Sequence, residues 1–343
     1  MKKTKLGIIF GGVSTEHEVS IKSAKAIYKN LNKDKYQISK IYIDKKGNFY
    51  ESKNFTSLKT NKIDNLTLYL KKIDVVFPVL HGKYGEDGTI QGMFEMLNVP
   101  YVGCTILPSA LAIDKVYTKI ILEKANIKQA NYIYIKKEKD KYIYFDRKLN
   151  KKEIDINNIE KIVNNKLKYP VFIKPSNSGS SVGITKAKDK EELLKGIKEA
   201  SIFDNKILIE ETLKGKEIEC AVLEDGEIKA SNLGQIIPDE EFYSYDSKYR
   251  NNKTKLIIPA DVNTKIEEKI KKIAIKAFNA IDGKGLARID FFVDKNKIYL
   301  NEINTMPGFT EISMYPKLWE NTGIKFEDLL DKIIDISLKQ NLW

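Results

Sequence analysis

Residues Ala287 to Asn304 carry the pattern that most restricts how this chain can fold. Ile289, Phe291 and Val293 alternate with Arg288 and Asp290, and beyond Lys295-Asn296-Lys297 the chain resumes with Ile298, Leu300, Glu302 and Asn304 spaced by two. Period-two side chains belong to strands, and two such runs around a short polar turn make a hairpin. With the three residues Lys295 to Lys297 as connection, Glu302 lies opposite Asp290 and Asn304 opposite Arg288. Two carboxylates and an amide then converge, an oxygen-rich set that suits magnesium supplemented by phosphate and water. A charged, solvated strand face with one cross-strand pair is the other reading of these residues. The following turn, Thr305-Met-Pro-Gly-Phe-Thr310, weighs against it. Gly308 offers an unobstructed N–H there, an oxyanion donor beside the metal ligands and Arg288.

The rest of the chain alternates strand and helix signals. Lys5 to Phe10 reads as a buried strand, Gly11 to Thr15 as a turn, and Glu16 to Leu31 as a helix with Val19, Ala24, Ile27 and Leu31 on its apolar side. Tyr36 to Ile43 and Asp74 to Leu80 are further strands and Thr89 to Leu97 a further helix, which implies a parallel α/β layer through about residue 104. A helix from Lys115 to Ala125 follows. The lysine-rich stretch from Ile127 to about Lys168 holds the strand Tyr142 to Phe145 and reads in part as exposed loop. Next come a strand Tyr169 to Lys174, a helix Lys190 to Ala200 and a strand Lys206 to Glu210. A long α+β region closes the chain, with a strand Glu217 to Leu223, a Tyr-rich loop at 240–252, a helix Asn263 to Ile281, the hairpin and a terminal helix.

Composition removes several function classes. The apolar start, Met1 to Phe10, is cut short by Gly11 and Gly12 and reads as a first buried strand rather than a leader, and no run reaches the roughly 20 apolar residues of a membrane span. The two cysteines, Cys104 and Cys220, lack metal-ligand spacing and suit a reducing, cytosolic compartment. A net charge of +12 raises nucleic-acid binding, but arginine occurs only at 147, 250 and 288 and the lysines are dispersed among acids. The expectation is a lysine-coated surface without a nucleic-acid or membrane partner.

Three further segments carry candidate chemistry. Pro175-Ser-Asn-Ser-Gly-Ser-Ser-Val-Gly183 follows a strand bearing Lys174, and its small residues leave backbone N–H groups free for anionic oxygens. It is a phosphate cradle or an ordinary Gly/Ser turn. It has no P-loop spacing, and Gly11-Gly-Val-Ser completes no dinucleotide fingerprint. His81-Gly-Lys-Tyr-Gly-Glu-Asp-Gly88 sits at a strand's carboxyl end, where open α/β sheets place ligands. His81 there either serves the reaction or is structural. His17, on the first helix, reads as a surface residue.

Taken in order, these segments resemble the D-alanine:D-alanine ligase family of ATP-grasp enzymes. The resemblance spans nearly the whole chain and adds Gly11-Gly-Val-Ser-Thr-Glu-His-Glu-Val-Ser20, Glu210-Glu-Thr-Leu with Glu217, and Phe242-Tyr-Ser-Tyr-Asp-Ser-Lys-Tyr249. It implies an N-terminal parallel α/β (Rossmann-like, pre-ATP-grasp) domain at 1–104. A two-lobed α+β ATP-grasp fold would follow at 105–211 and 212–343. It implies that Lys115 and Lys174 contact ATP phosphates under a loop carrying Ser180 and Ser181, that Glu210 and Leu213 hold adenine, and that Glu217 holds ribose. Asp290, Glu302 and Asn304 match the magnesium (or manganese) ligands. Glu16 would receive the ammonium of the first D-alanine, Arg288 and Gly308 its reacting carboxylate, and Lys248 and Ser313 the carboxylate of the second, with His81 close by. Tyr249 would bond to Ser180 and Glu16. Lys248-Tyr249 is the form associated with an amine as second substrate. The stretch between Lys115 and Lys174 is longer than in compact relatives, and Thr212 stands where a larger adenine contact is usual. A homodimer acting in peptidoglycan precursor synthesis is implied.

Overall fold

In the computed structural model, residues 2–238 and 254–339 are described. The chain starts with β1 (Thr4–Gly11), α1 (His17–Asn30), β2 (Tyr36–Ile43), β3 (Phe49–Glu51), β4 (Asn61–Lys62), α2 (Leu66–Leu70), β5 (Val75–Val79) and α3 (Thr89–Met96). The parallel layer expected here is present as β2-β1-β5, and β3 and β4 extend it with antiparallel pairing in the order β4-β3-β2-β1-β5. Leu6, Ile8 and Phe10 alternate with Ile9 along β1 and bury both of its faces, as parallel strands require. His17 is not on the surface. It is buried, with Nδ1 2.6 Å from the Gly12 carbonyl and Nε2 3.1 Å from the Tyr42 hydroxyl, so the first helix turns it onto the carboxyl ends of β1 and β2.

Two helices, α4 (Ile106–Ile113) and α5 (Lys115–Lys124), lead to a second sheet. It is built from β6 (Tyr132–Glu138), β7 (Lys141–Phe145), β8 (Lys151–Ile154), β9 (Val171–Pro175), β10 (Thr185–Ala187) and β11 (Lys206–Glu211), with α6 (Ile156–Lys166) and α7 (Lys190–Phe203) packed on it. All its pairs are antiparallel, in the order β10-β9-β11-β6-β7-β8. The stretch 127–168, expected in part as loop, is therefore mostly regular. Its strands are short and half-exposed, so lysines interrupt the apolar period that would have marked them.

The third sheet comprises β12 (Lys216–Asp225), β13 (Glu227–Ile237), β14 (Lys255–Ile257), β15 (Leu286–Asp294) and β16 (Lys297–Asn304), in the order β14-β13-β12-β15-β16. Between β14 and β15 runs α8 (Thr264–Ala280), whose Ile266, Ile270, Ala274 and Ala277 recur at helical spacing and cover one sheet face. The chain ends in α9 (Met314–Asn321) and α10 (Phe326–Lys339). Strand β13 was not foreseen, because Ser231, Asn232, Gly234 and Gln235 break its apolar alternation. The second face of this sheet divides its work. At one end Ala221, Leu223 and Leu286 join a core shared with α1, β5 and α10, which docks the third sheet on the first. At the other end the same face turns polar.

The hairpin reaches the expected pairing by a different route. Asp294 pairs with Lys297, so the connection is two residues, not three. Without correction that register would place Asn301 opposite Asp290. An irregularity between Asp290 and Phe291 absorbs one residue, Asn301, and restores Asp290↔Glu302 and Arg288↔Asn304. The bulge also reverses the phase of β16. Ile298 and Leu300 therefore share the core side with Ile303, not with Glu302 and Asn304 as strict alternation would have it.

Candidate active site

The polar end of the third sheet, the turn 305–313, the Gly/Ser loop 176–184 and the first turns of the N-terminal unit enclose one cleft of two adjoining cavities. Glu16, His81, Arg288, Asn304, Gly308 and Ser313 line the first, and Lys174, Ser181, Glu210, Leu213, Glu217 and Asp290 line the second. Lys115, Ser180, Glu219 and Glu302 line both, so the cavities communicate. The sequence candidates within the described residues are thus brought together. Lys248 and Tyr249 lie outside the described residues.

Arg288 is the electrostatic centre. Its Nε is 2.8 Å from Asp290 Oδ1 and 3.1 Å from Glu219 Oε2, and a terminal nitrogen is 2.7 Å from Asp290 Oδ2. Burial opposes its charge, but Asp290 and Glu219 outweigh burial and hold the guanidinium protonated. The pairing follows from register, since Arg288 sits beside Ala221 and Asp290 beside Glu219. Asn304 adds an Nδ2–H bond to Asp290 at 3.0 Å.

Among the described residues no three His, Cys, Asp or Glu side chains are placed so that they could hold a metal ion together. What the hairpin brings together is two carboxylates, Asp290 and Glu302, that line the second cavity, with the Asn304 amide at the adjoining position. All can offer oxygen. A hard divalent cation completed by phosphate and water fits such a partial set better than it fits a closed protein cage.

Glu16 is buried at the end of the first turn and accepts a hydrogen bond from Ser180 Oγ across to the second sheet. Two glycines make room for it: a Cβ on Gly82 would come within 2.9 Å of its Oε2, and one on Gly179 within 3.0 Å. Gly82 also has φ +69°. On the opposite wall Ser313 Oγ meets Thr310 N at 3.0 Å and Thr310 Oγ1 at 2.7 Å, and a Cβ on Gly308 would approach it to 2.7 Å. Side by side in the loop, Ser180 and Ser181 both hold the left-handed backbone, with φ 51° and 60°.

His81 is buried, with Nδ1 3.1 Å from the Met306 carbonyl and Nε2 3.3 Å from Ser23 Oγ. Burial depresses its pKa and keeps the ring neutral. Both nitrogens are engaged by protein, so it braces the turn before Gly308.

At the second cavity, Lys115 Nζ donates to the Ser178 carbonyl and Lys174 pairs with Glu210. Thr212 turns its hydroxyl to the Pro170 carbonyl at 2.8 Å. Burial would raise the Glu210 carboxyl, but Lys119 and Lys174 hold it down at about 2.

Sequence reasoning missed three residues. Glu86 lines the first cavity and accepts from Gly82 N at 2.6 Å; burial, with Glu16 and Glu302 near, pushes its carboxyl up to about 8. Glu219 could have been found, two residues from Glu217 in an apolar strand and hence on the same face. Lys119 could have been suspected from its place one helical turn after Lys115.

Known proteins share both the sequence and the fold. The family described as "D-ala D-ala ligase N-terminus" matches residues 5–104 and "D-ala D-ala ligase C-terminus" residues 121–335. D-alanine–D-alanine ligase B of Clostridium tetani is 48% identical over 351 residues, covering 98% of this chain and 94% of that protein. The D-alanine–D-alanine ligase of Clostridium acetobutylicum is 48% identical over 356 residues, covering 99% of both. Among solved structures, the VanG D-Ala:D-Ser ligase of Enterococcus faecalis superposes with TM-score 0.84 at 34% identity, covering 98% of this chain and all of that one. The D-alanine-D-alanine ligase of Coxiella burnetii gives TM-score 0.82 at 33% identity, with 98% and 94% covered.

Proposed function

The chain belongs to the D-alanine–D-alanine ligase family, and from that membership and the geometry of the cleft we propose that it joins two D-alanines with cleavage of ATP to ADP, supplying peptidoglycan precursor. The observation that carries this reading is the continuity of the cleft: Lys115, Ser180 and Glu302 face both the cavity of Lys174 and Glu217 and that of Glu16 and Ser313. A phosphoryl group bound on one side can then reach a carboxylate bound on the other.

A carboxylate is a poor acyl donor until it is phosphorylated. The first D-alanine carboxylate forms an O–P bond to the γ-phosphorus as the bridging bond to ADP breaks. The second D-alanine, having lost a proton from its ammonium group to water, forms the C–N bond through its amine as the acyl C–O bond breaks, and inorganic phosphate leaves carrying the second amine proton. Glu16 holds the first ammonium, and Arg288 with the Gly308 N–H receives the charge that develops on the reacting carbonyl oxygen. Ser313 seats the second carboxylate; Lys248, which the resemblance gives to the same carboxylate, and Tyr249, which it gives to Ser180 and Glu16, lie outside the described residues. Lys115 and Lys174 hold phosphate oxygens beneath Ser180 and Ser181, with Glu210 and Leu213 at adenine and Glu217 at ribose. Asp290, Glu302 and Asn304 would hold magnesium, which supplies charge neutralisation at the phosphates. His81 contributes through the Met306 carbonyl. The units 1–104, 105–211 and 212–343 each supply one wall, supported by one sheet in each.

Purified chain with ATP, magnesium and D-alanine is expected to release phosphate and form the dipeptide in equal amounts; a folded sample that yields neither sinks the reading. Offering D-serine and D-lactate against D-alanine at neutral pH decides the second substrate, with D-alanine expected to dominate. Gly308→Ala pushes a methyl group into Ser313 Oγ, and a displacement of that size costs roughly 10- to 100-fold in kcat/KM for D-alanine. Steady-state kinetics should show this with the KM for ATP nearly unchanged. The reading includes a homodimer, which sedimentation checks, and a cytosolic location, which fits two buried, unpaired cysteines. No helix among the described residues is long and apolar enough to cross a membrane.

A further inference from the structure

Glu210, near the end of β11, is held between two lysines. Lys119 Nζ stands 3.0 Å from its Oε2, and Lys174 pairs with its Oε1. The side chains of Lys119 and Glu210 are 5% and 6% exposed, so both charges are almost wholly removed from water. A buried carboxylate needs one counter-charge, and this one has two. Their surroundings differ. Lys174 lines the nucleotide-side cavity together with Glu210, whereas Lys119 projects from α5 and is backed by the Tyr132 ring, 5.3 Å from its Nζ.

We propose that Lys119 is a positioning residue that acts as the permanent counter-charge of Glu210, so that Lys174 can turn to a nucleotide phosphate without leaving a buried carboxylate uncompensated. The inference rests on the reading above in which Lys174 serves the phosphates. With Lys119 in place, the three side chains carry one net positive charge, and the excess resides on the lysine that faces the cavity. Without it, Glu210 and the phosphate compete for a single cation. The competition ends if Glu210 is neutral, and a glutamine there keeps a carbonyl oxygen for the adenine amino group.

The experiment uses the full chain and ADP as probe. Lys119→Met is expected to raise the ADP dissociation constant about ten-fold or more, because Lys174 is then retained by Glu210. The KM for D-alanine should stay within about two-fold, since Lys119 lines neither cavity. Lys119→Met/Glu210→Gln should bind ADP within about three-fold of Glu210→Gln alone, and Lys119→Arg within about three-fold of wild type. Wild-type ADP affinity in Lys119→Met, or a double variant that loses as much affinity relative to Glu210→Gln as Lys119→Met loses relative to wild type, overturns the inference, the second result assigning Lys119 to packing alone. If Lys119→Met does not fold, the double variant decides: it should fold and bind, and its failure to do so overturns the inference. Lys174→Met separates the two readings. If it leaves ADP affinity intact, the assignment of Lys174 fails; if it weakens binding while Lys119→Met does not, only the role of Lys119 fails.

Discussion

Glu302→Gln and Asp290→Asn, each made singly, are expected to lower phosphate release by about a thousand-fold or more while the chain stays folded. Each replaces a carboxylate on the nucleotide-side cavity by a neutral amide of nearly the same shape, so what is lost is charge at the phosphates. The two variants differ in stability. Asp290 is held by two hydrogen bonds from Arg288, and its substitution also weakens that pair; Glu302→Gln is the cleaner test. Chelation of divalent ions should silence the wild type, and added magnesium should restore it. Thermal unfolding alongside the phosphate assay checks both points, and wild-type turnover in Glu302→Gln would remove Glu302 from the metal assignment.

Arg288→Met has the second large effect, and it falls on stability as well as turnover. The guanidinium lies between Glu219 and Asp290, its side chain only 17% exposed. Removing it leaves two shielded carboxylates facing each other without a cation, which costs roughly 3 kcal/mol. Turnover should fall by about a thousand-fold, because the carbonyl oxygen loses its charged partner. Arg288→Lys restores charge but not the forked geometry, so it should recover most of the stability and little of the activity. Denaturant titration and phosphate release measure the two losses separately. An Arg288→Met protein as stable as wild type would show that Glu219 and Asp290 do not depend on this cation.

Much of the fold was legible wherever the partners of a contact are close in sequence. Period-two alternation marked both hairpin strands, the β-branched runs at 36–43 and 74–80 marked two parallel strands, and helical spacing marked the helix after Asn263. Strand β13 escaped because its buried Ser231 and Gln235 carry no apolar signal. His17 was misplaced because one helix face cannot reveal that Tyr42, on another strand, closes over it.

The site divides along the same line. Sequence alone determined which residues alternate on the faces of the hairpin and which loops carry small residues beside charged ones, because those properties depend on backbone periodicity and steric size. With the family resemblance it also named many of the charged and polar residues that line the cleft, though not Glu86 or Glu219. The tertiary structure decided the partners: Glu219 with Arg288, Lys119 with Glu210, Glu16 with Ser180, and His81 with Met306. Even the pairing of Asp290 with Glu302 was reached through a bulge at Asn301 that compensates a shorter turn. The physical reason is that side-chain periodicity assigns a residue to a face but not to a neighbour. Which charge meets which is settled only when separate sheets pack and each buried ion must find its counter-charge.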